Sequence, residues 1–116
     1  MSSRGDVPAL KDIVEAISRI ERYIGTATIA EFLENTQAQD AVLRNLEVIG
    51  EAVKNLSADF RLEHADVEWS RIAGLRDKLI HQYFSVDWDI VWDVVQERLP
   101  KLKEQVTGLL PHEGSE

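Results

Sequence analysis

Arg76, Asp77, His81 and Tyr83 share one short stretch, Arg76-Asp77-Lys78-Leu79-Ile80-His81-Gln82-Tyr83. The chemistry such a set could do is strand cleavage of RNA without a metal ion. That reaction needs a base for the 2′-hydroxyl proton, an acid for the leaving oxygen and a cation for the charge on the phosphorane. His81 suits the proton work, because the reference pKa of histidine is about 6.5. Arg76 suits the charge, being planar and permanently cationic. Asp77 stands four residues before His81, on the same helical face, where a carboxylate can fix the imidazole tautomer. Tyr83 offers a hydroxyl for contacting phosphate or for being modified.

Spacing alone favours plainer roles. Arg76, Asp77 and Lys78 form an ordinary charged stretch of helix, and His81 is well placed as a cation at a helix C-terminus. Tyr83 suits a boundary position, with its ring in the core and its hydroxyl in water. Other chemistries are poorly supported. His64, His81 and His112 are scattered, no His-Glu-x-x-His pair occurs, and cysteine is absent. Asp87, Asp89 and Asp93 read as a helix cap and a solvated face, not as a metal site. No glycine-rich loop joins a strand to a helix, and Gly114-Ser115 lies in the tail. Neither a metal nor a cofactor is expected.

The elements that must position these residues are helical. Leu10, Ile13, Ile17, Ile20 and Ile24 form the stripe of a helix from about Val7 to Ile24, with Pro8 in its first turn and Gly25 ending it. Thr28 and Glu31 form a capping box for a short helix carrying Ile29, Phe32 and Leu33. A third helix spans about Gln37 to Leu56, with Gly50 marking close approach by another helix. Ser57 to Asp66 reads as a connection with at most one helical turn. The fourth helix runs from about Glu68 to Tyr83 on a stripe of Ile72, Leu75 and Leu79. Phe84-Ser85-Val86 is a loop, and Asp87 caps a last helix through Ile90, Val91, Val94, Val95 and Leu99. Pro100 breaks or kinks that helix, which resumes through Leu102, Val106 and Leu109. The expectation is an all-α antiparallel bundle of four to five helices, one domain over residues 7–109, with 1–6 and 111–116 as loose ends.

On a regular fourth helix the motif divides. With Ile72 at zero, Arg76 falls at about 40° and Tyr83 at about 20°, beside the core stripe, while Asp77 falls at about 140° and His81 at about 180°. Ser70 and Gly74 share the outer face, and their small size admits another helix. Either the helix distorts near its end or two chains pool their residues across a twofold axis, and the dimer is preferred.

The chain has 116 residues, 44% of them hydrophobic and 29% charged, as in a folded soluble domain. No apolar run is long enough to span a bilayer and no leader opens the chain, so no membrane role and a cytoplasmic location are expected. The net charge of −8 opposes nucleic-acid binding by the molecule as a whole. An RNA site therefore needs local cations, for which Arg71 and Lys78 are the candidates.

The three-position pattern Arg76-x4-His81-x-Tyr83 resembles the motif of HEPN ribonucleases. Its surroundings extend the likeness to the HepT-like branch: Leu46-Glu47-Val48-Ile49-Gly50-Glu51-Ala52, Trp69-Ser70-Arg71-Ile72-Ala73-Gly74-Leu75, Tyr83-Phe84-Ser85-Val86-Asp87, Val91-Trp92 and Leu99-Pro100-Lys101-Leu102. Asp12-Ile13 and Ile20-Glu21-Arg22-Tyr23-Ile24-Gly25 are similar too, so the likeness runs from Val7 to Leu109. The resemblance implies a toxin of a toxin–antitoxin pair, a helical homodimer with the motif in the intersubunit cleft. By it Arg76 and His81 are catalytic in RNA cleavage. Tyr83 is the residue to which an MntA-like minimal nucleotidyltransferase antitoxin attaches AMP, blocking the cleft with bulk and negative charge. One position departs from the pattern: the residue after the motif arginine is often Asn, and here it is Asp77, whose carboxylate repels RNA phosphate. Asp77 and the acidic composition favour the competing reading, a non-catalytic helical module that docks a nucleotidyltransferase or binds a nucleotide.

Overall fold

The computed structural model describes residues 5–81 and 86–111; at positions 76, 79, 80 and 81 it describes the backbone alone. Every regular element among the described residues is helical. Helix α1 spans Asp6–Ile24 and buries Leu10, Ile13, Ile17, Ile20 and Ile24, the stripe expected from their spacing. It ends at Gly25, whose φ of 55° is open to glycine and rare for other residues, and whose N–H bonds to the Glu21 carbonyl. Helix α2, Ile29–Leu33, has the expected capping box: Thr28 N–H donates to Glu31 Oε1 at 2.8 Å, and Glu31 N–H donates to Thr28 Oγ1 at 3.2 Å.

Helix α3, Thr36–Lys54, begins at an Asn35 cap and buries Val42, Leu46, Ile49 and Val53, with Gly50 buried among them. Between α3 and α5 the chain folds into more helix than expected. Helix α4, Ala58–Glu63, has six residues, is capped by Ser57 and is pinned by buried Phe60. Helix α5, Trp69–His81, carries the motif. Asp87 then caps α6, Trp88–Asp93, by accepting from the N–H groups of both Asp89 and Ile90. Asp89 and Asp93 are exposed, as a solvated face requires.

Pro100 neither breaks the last helix nor bends it by simple omission of a bond. A π-helical turn, Val94–Arg98, follows α6 directly and leads without a gap into α7, Leu99–Leu109, with Pro100 in its first turn. Proline has no N–H to give the carbonyl four residues back, and its ring collides with that carbonyl in a regular helix. The wider π turn takes up the mismatch just before the ring.

The long helices pack in the order α5–α3–α1–α7. Phe32 from α2 wedges against Trp88 and Trp92, with ring centroids 5.8 and 5.4 Å apart. Trp69 at the start of α5 is buried and donates from Nε1 to the His64 carbonyl at 2.9 Å. Asp6, grouped by sequence with the loose leading end, is instead the first residue of α1 and only 1% exposed. It accepts from Ser57 N–H at 2.8 Å and from Ser57 Oγ at 3.0 Å, tying the start of α1 to the cap of α4.

Candidate active site

Helix α5 is set against α3 on one side and faces the α6–α7 rod on the other. Trp69 is buried, while Ile72, Ala73 and Leu75 are only partly buried against the core. Ile72 and Leu75 of the expected stripe therefore face inward but are incompletely covered, because the seam between α5 and α7 stays open as a groove of about 730 Å³. Ser70, Gly74 and Lys78 are exposed. A Cβ added at Gly74 would meet nothing within 4 Å, so the outer face of α5 is clear of this chain's other elements there.

Positions 76 and 81 both lie within α5, which is α-helical without interruption from Trp69 to His81. Five residues at about 100° each set them about 140° apart around the axis. A distortion between Arg76 and His81, one of the two ways of reconciling the motif, is thus absent. By the same register position 81 follows 77 by four residues and 74 by seven, on the solvent side of the helix. Tyr83 lies outside the described residues.

Asp77 is bound from α3. Lys54 Nζ, on the last residue of that helix, donates to Asp77 Oδ1 at 3.0 Å and to Oδ2 at 3.2 Å.

The two RNA-contact candidates come together in the α5–α7 groove, which Arg71 and Lys78 line from one side. Arg98 and Lys101, neither of which sequence reasoning selected, line it from the other. Glu68 occupies one end, 3.2 Å from Arg71 and 3.8 Å from Arg98. Lys78 and Lys101 form no ion pair among the described residues. Asp66 and Glu97 also border the groove, so four cations meet three carboxylates there. In a chain of 13 basic and 21 acidic residues, this is a local reversal of the overall balance. Arg98 is the closing residue of the π turn, and this helical irregularity helps set its place on the groove. No group of three or more His, Asp or Glu that could hold a metal stands together among the described residues.

A family model described as ribonuclease HepT-like matches residues 13–109. The chain belongs to that family. It is 47% identical over 101 residues to a candidate RNase of Methanocaldococcus jannaschii, a match covering 87% of this chain and 84% of the relative. It is 46% identical over 94 residues to the probable ribonuclease HepT of Thermococcus cleftensis, covering 81% and 86%. Another M. jannaschii relative, named gamma-glutamylcyclotransferase and candidate RNase, is 42% identical over 101 residues, but the match spans only 46% of that protein. No solved structure matches the chain. The HepT-like assignment agrees with the all-helical architecture, and no described helix is long and apolar enough to cross a membrane.

Proposed function

We propose that the chain is a metal-independent endoribonuclease that acts as a homodimer and serves as the toxin of a toxin–antitoxin pair. Family membership supports the ribonuclease class. The observation that carries the two-chain site is the regular course of α5. Positions 76 and 81 diverge by about 140° on an unbroken helix, so one α5 does not aim both at a single phosphate. Two α5 helices related by a twofold axis, meeting across the open face at Ser70 and Gly74, bring both copies of position 81 into one cleft, with the two copies of Arg76 at its borders.

In that arrangement His81 exchanges protons with the 2′-hydroxyl and the leaving oxygen, and Arg76 steadies the phosphorane charge. Arg71 and Lys78, with Arg98 and Lys101 across the groove, guide the flanking phosphates toward the cleft. An MntA-like nucleotidyltransferase silences the enzyme by attaching AMP to Tyr83.

Expression in bacteria and intact-mass measurement test this reading together. The chain alone should arrest growth in a manner lost with Arg76→Ala or His81→Ala. Co-expression with the nucleotidyltransferase should relieve the arrest and add one or more AMP units, absent from Tyr83→Phe. Harmless expression of the unmodified, folded chain would favour a non-catalytic docking module instead.

A further inference from the structure

We propose that Lys54 is a positioning residue for the RNA site, acting through Asp77: its ammonium cancels the carboxylate that the motif helix presents beside the phosphate path. The inference rests on the ribonuclease reading above and concerns how that site tolerates its own acid.

A carboxylate at position 77 is a liability in such a site. It stands one residue from Arg76 and, on an unbroken helix, on the face of position 81. An unscreened negative charge there opposes any phosphodiester drawn toward those two positions. Lys54 removes the difficulty from outside the motif. Its Nζ lies within 3.2 Å of both Asp77 oxygens, so its charge is centred on the carboxylate and not shared along the helix. Of the other described basic side chains on α5, Arg71 pairs with Glu68 and Lys78 faces the α7 groove.

The pair is also poorly suited to a purely mechanical role. Both side chains are more than one-third exposed, at 38% and 46%, and an ion pair this open adds little to stability. Its effect on the local field does not depend on that stabilisation. A lysine held on Asp77 offsets the carboxylate's charge in the path of the strand.

A charge-cancelling role and a structural role predict different patterns in a four-variant cycle. Wild type, Lys54→Met, Asp77→Asn and the double variant are compared for Kd toward an RNA oligonucleotide blocked by a 2′-deoxy nucleotide at the cut site. KM and kcat are measured on the unblocked strand. If Lys54 cancels Asp77, then Lys54→Met weakens binding and raises KM by about three- to tenfold, the scale of one added repulsive charge. Asp77→Asn, which keeps an acceptor oxygen and drops the charge, shows no loss of Kd for the blocked strand, while its kcat reports separately on the orientation of His81. The double variant recovers most of what Lys54→Met loses, Lys54→Arg behaves as wild type, and the KM change shrinks as salt is raised.

If the pair is only a brace, either single substitution breaks it, so both weaken binding of the blocked strand alike and the double variant recovers nothing. That symmetric result overturns the proposal, as does a Lys54→Met enzyme with wild-type Kd and KM. In either case His81-dependent cleavage by the wild type leaves the ribonuclease reading standing. A folded wild-type dimer that neither binds nor cleaves RNA overturns both together.

Discussion

Lys54 and Asp77 join the C-terminal end of α3 to the motif helix through two contacts of 3.0 and 3.2 Å. On the proposed reading the contact offsets the charge that Asp77 presents to an anionic substrate. It also separates function from stability. Because the pair is open to water, Lys54→Met should change unfolding free energy by less than about 1 kcal/mol. Urea denaturation followed by circular dichroism measures this, and a larger loss would mean that the variant cannot be read as a charge change alone.

The tie between Asp6 and Ser57 should behave in the opposite way. Asp6 is buried and accepts from both the N–H and the hydroxyl of Ser57. Asp6→Ala leaves those donors without their acceptor, and a destabilisation of about 2–3 kcal/mol is expected from charge-assisted bonds of this kind. The loss should appear in the denaturation midpoint, while RNA cleavage by the still-folded fraction stays unchanged.

Phe32 holds α2 against the start of the last helix. Its side chain is 1% exposed and touches Trp88 and Trp92. Phe32→Ala should cost about 3–5 kcal/mol, through lost transfer energy and the cavity left behind. Tryptophan fluorescence should report the change directly, and an unaltered spectrum with unaltered stability would contradict this packing.

Gly74 tests the proposed dimer. Within one chain its Cα faces open space, so Gly74→Ala should stabilise α5 by about 0.5–1 kcal/mol through helix propensity. Gly74→Trp should leave the chain folded but obstruct a partner on that face. Sedimentation equilibrium should then show weaker self-association together with loss of cleavage. A Gly74→Trp variant that remains a fully active dimer would move the interface elsewhere.

What was legible in the sequence was what repeats or sits close along it. The isoleucine stripe of α1 and the Thr28–Glu31 box could be read because each is set by residues three or four apart. Phe60 gave no such pattern: its helix has one buried anchor, and Leu62 beside it is 76% exposed, so α4 passed for a connection. Pro100 marked where the last helix had to adjust, but the choice of a π turn over a break is made by packing on both sides of it. Ile72 and Leu75 show a different limit. Periodicity tells which face turns inward, not how closely a neighbouring helix approaches, and the α5–α7 seam leaves them half-covered.

The site divides along the same line. Arg76 and His81 are candidates by sequence because they lie in one segment, and Arg71 and Lys78 because they lie near it. Arg98, Lys101 and Lys54 reach the site only through the fold. Lys54 meets Asp77 across 23 residues of chain, and nothing in the local sequence of α3 distinguishes it from a solvated lysine at a helix end.

The most direct test of the ribonuclease reading is end-group analysis of RNA incubated with the purified protein in excess EDTA. Cleavage should persist and leave a 2′,3′-cyclic phosphate or its hydrolysis product, and His81→Ala should abolish it while sedimenting as a dimer. Cleavage that stops on chelation, or that continues undiminished in His81→Ala, would contradict the account.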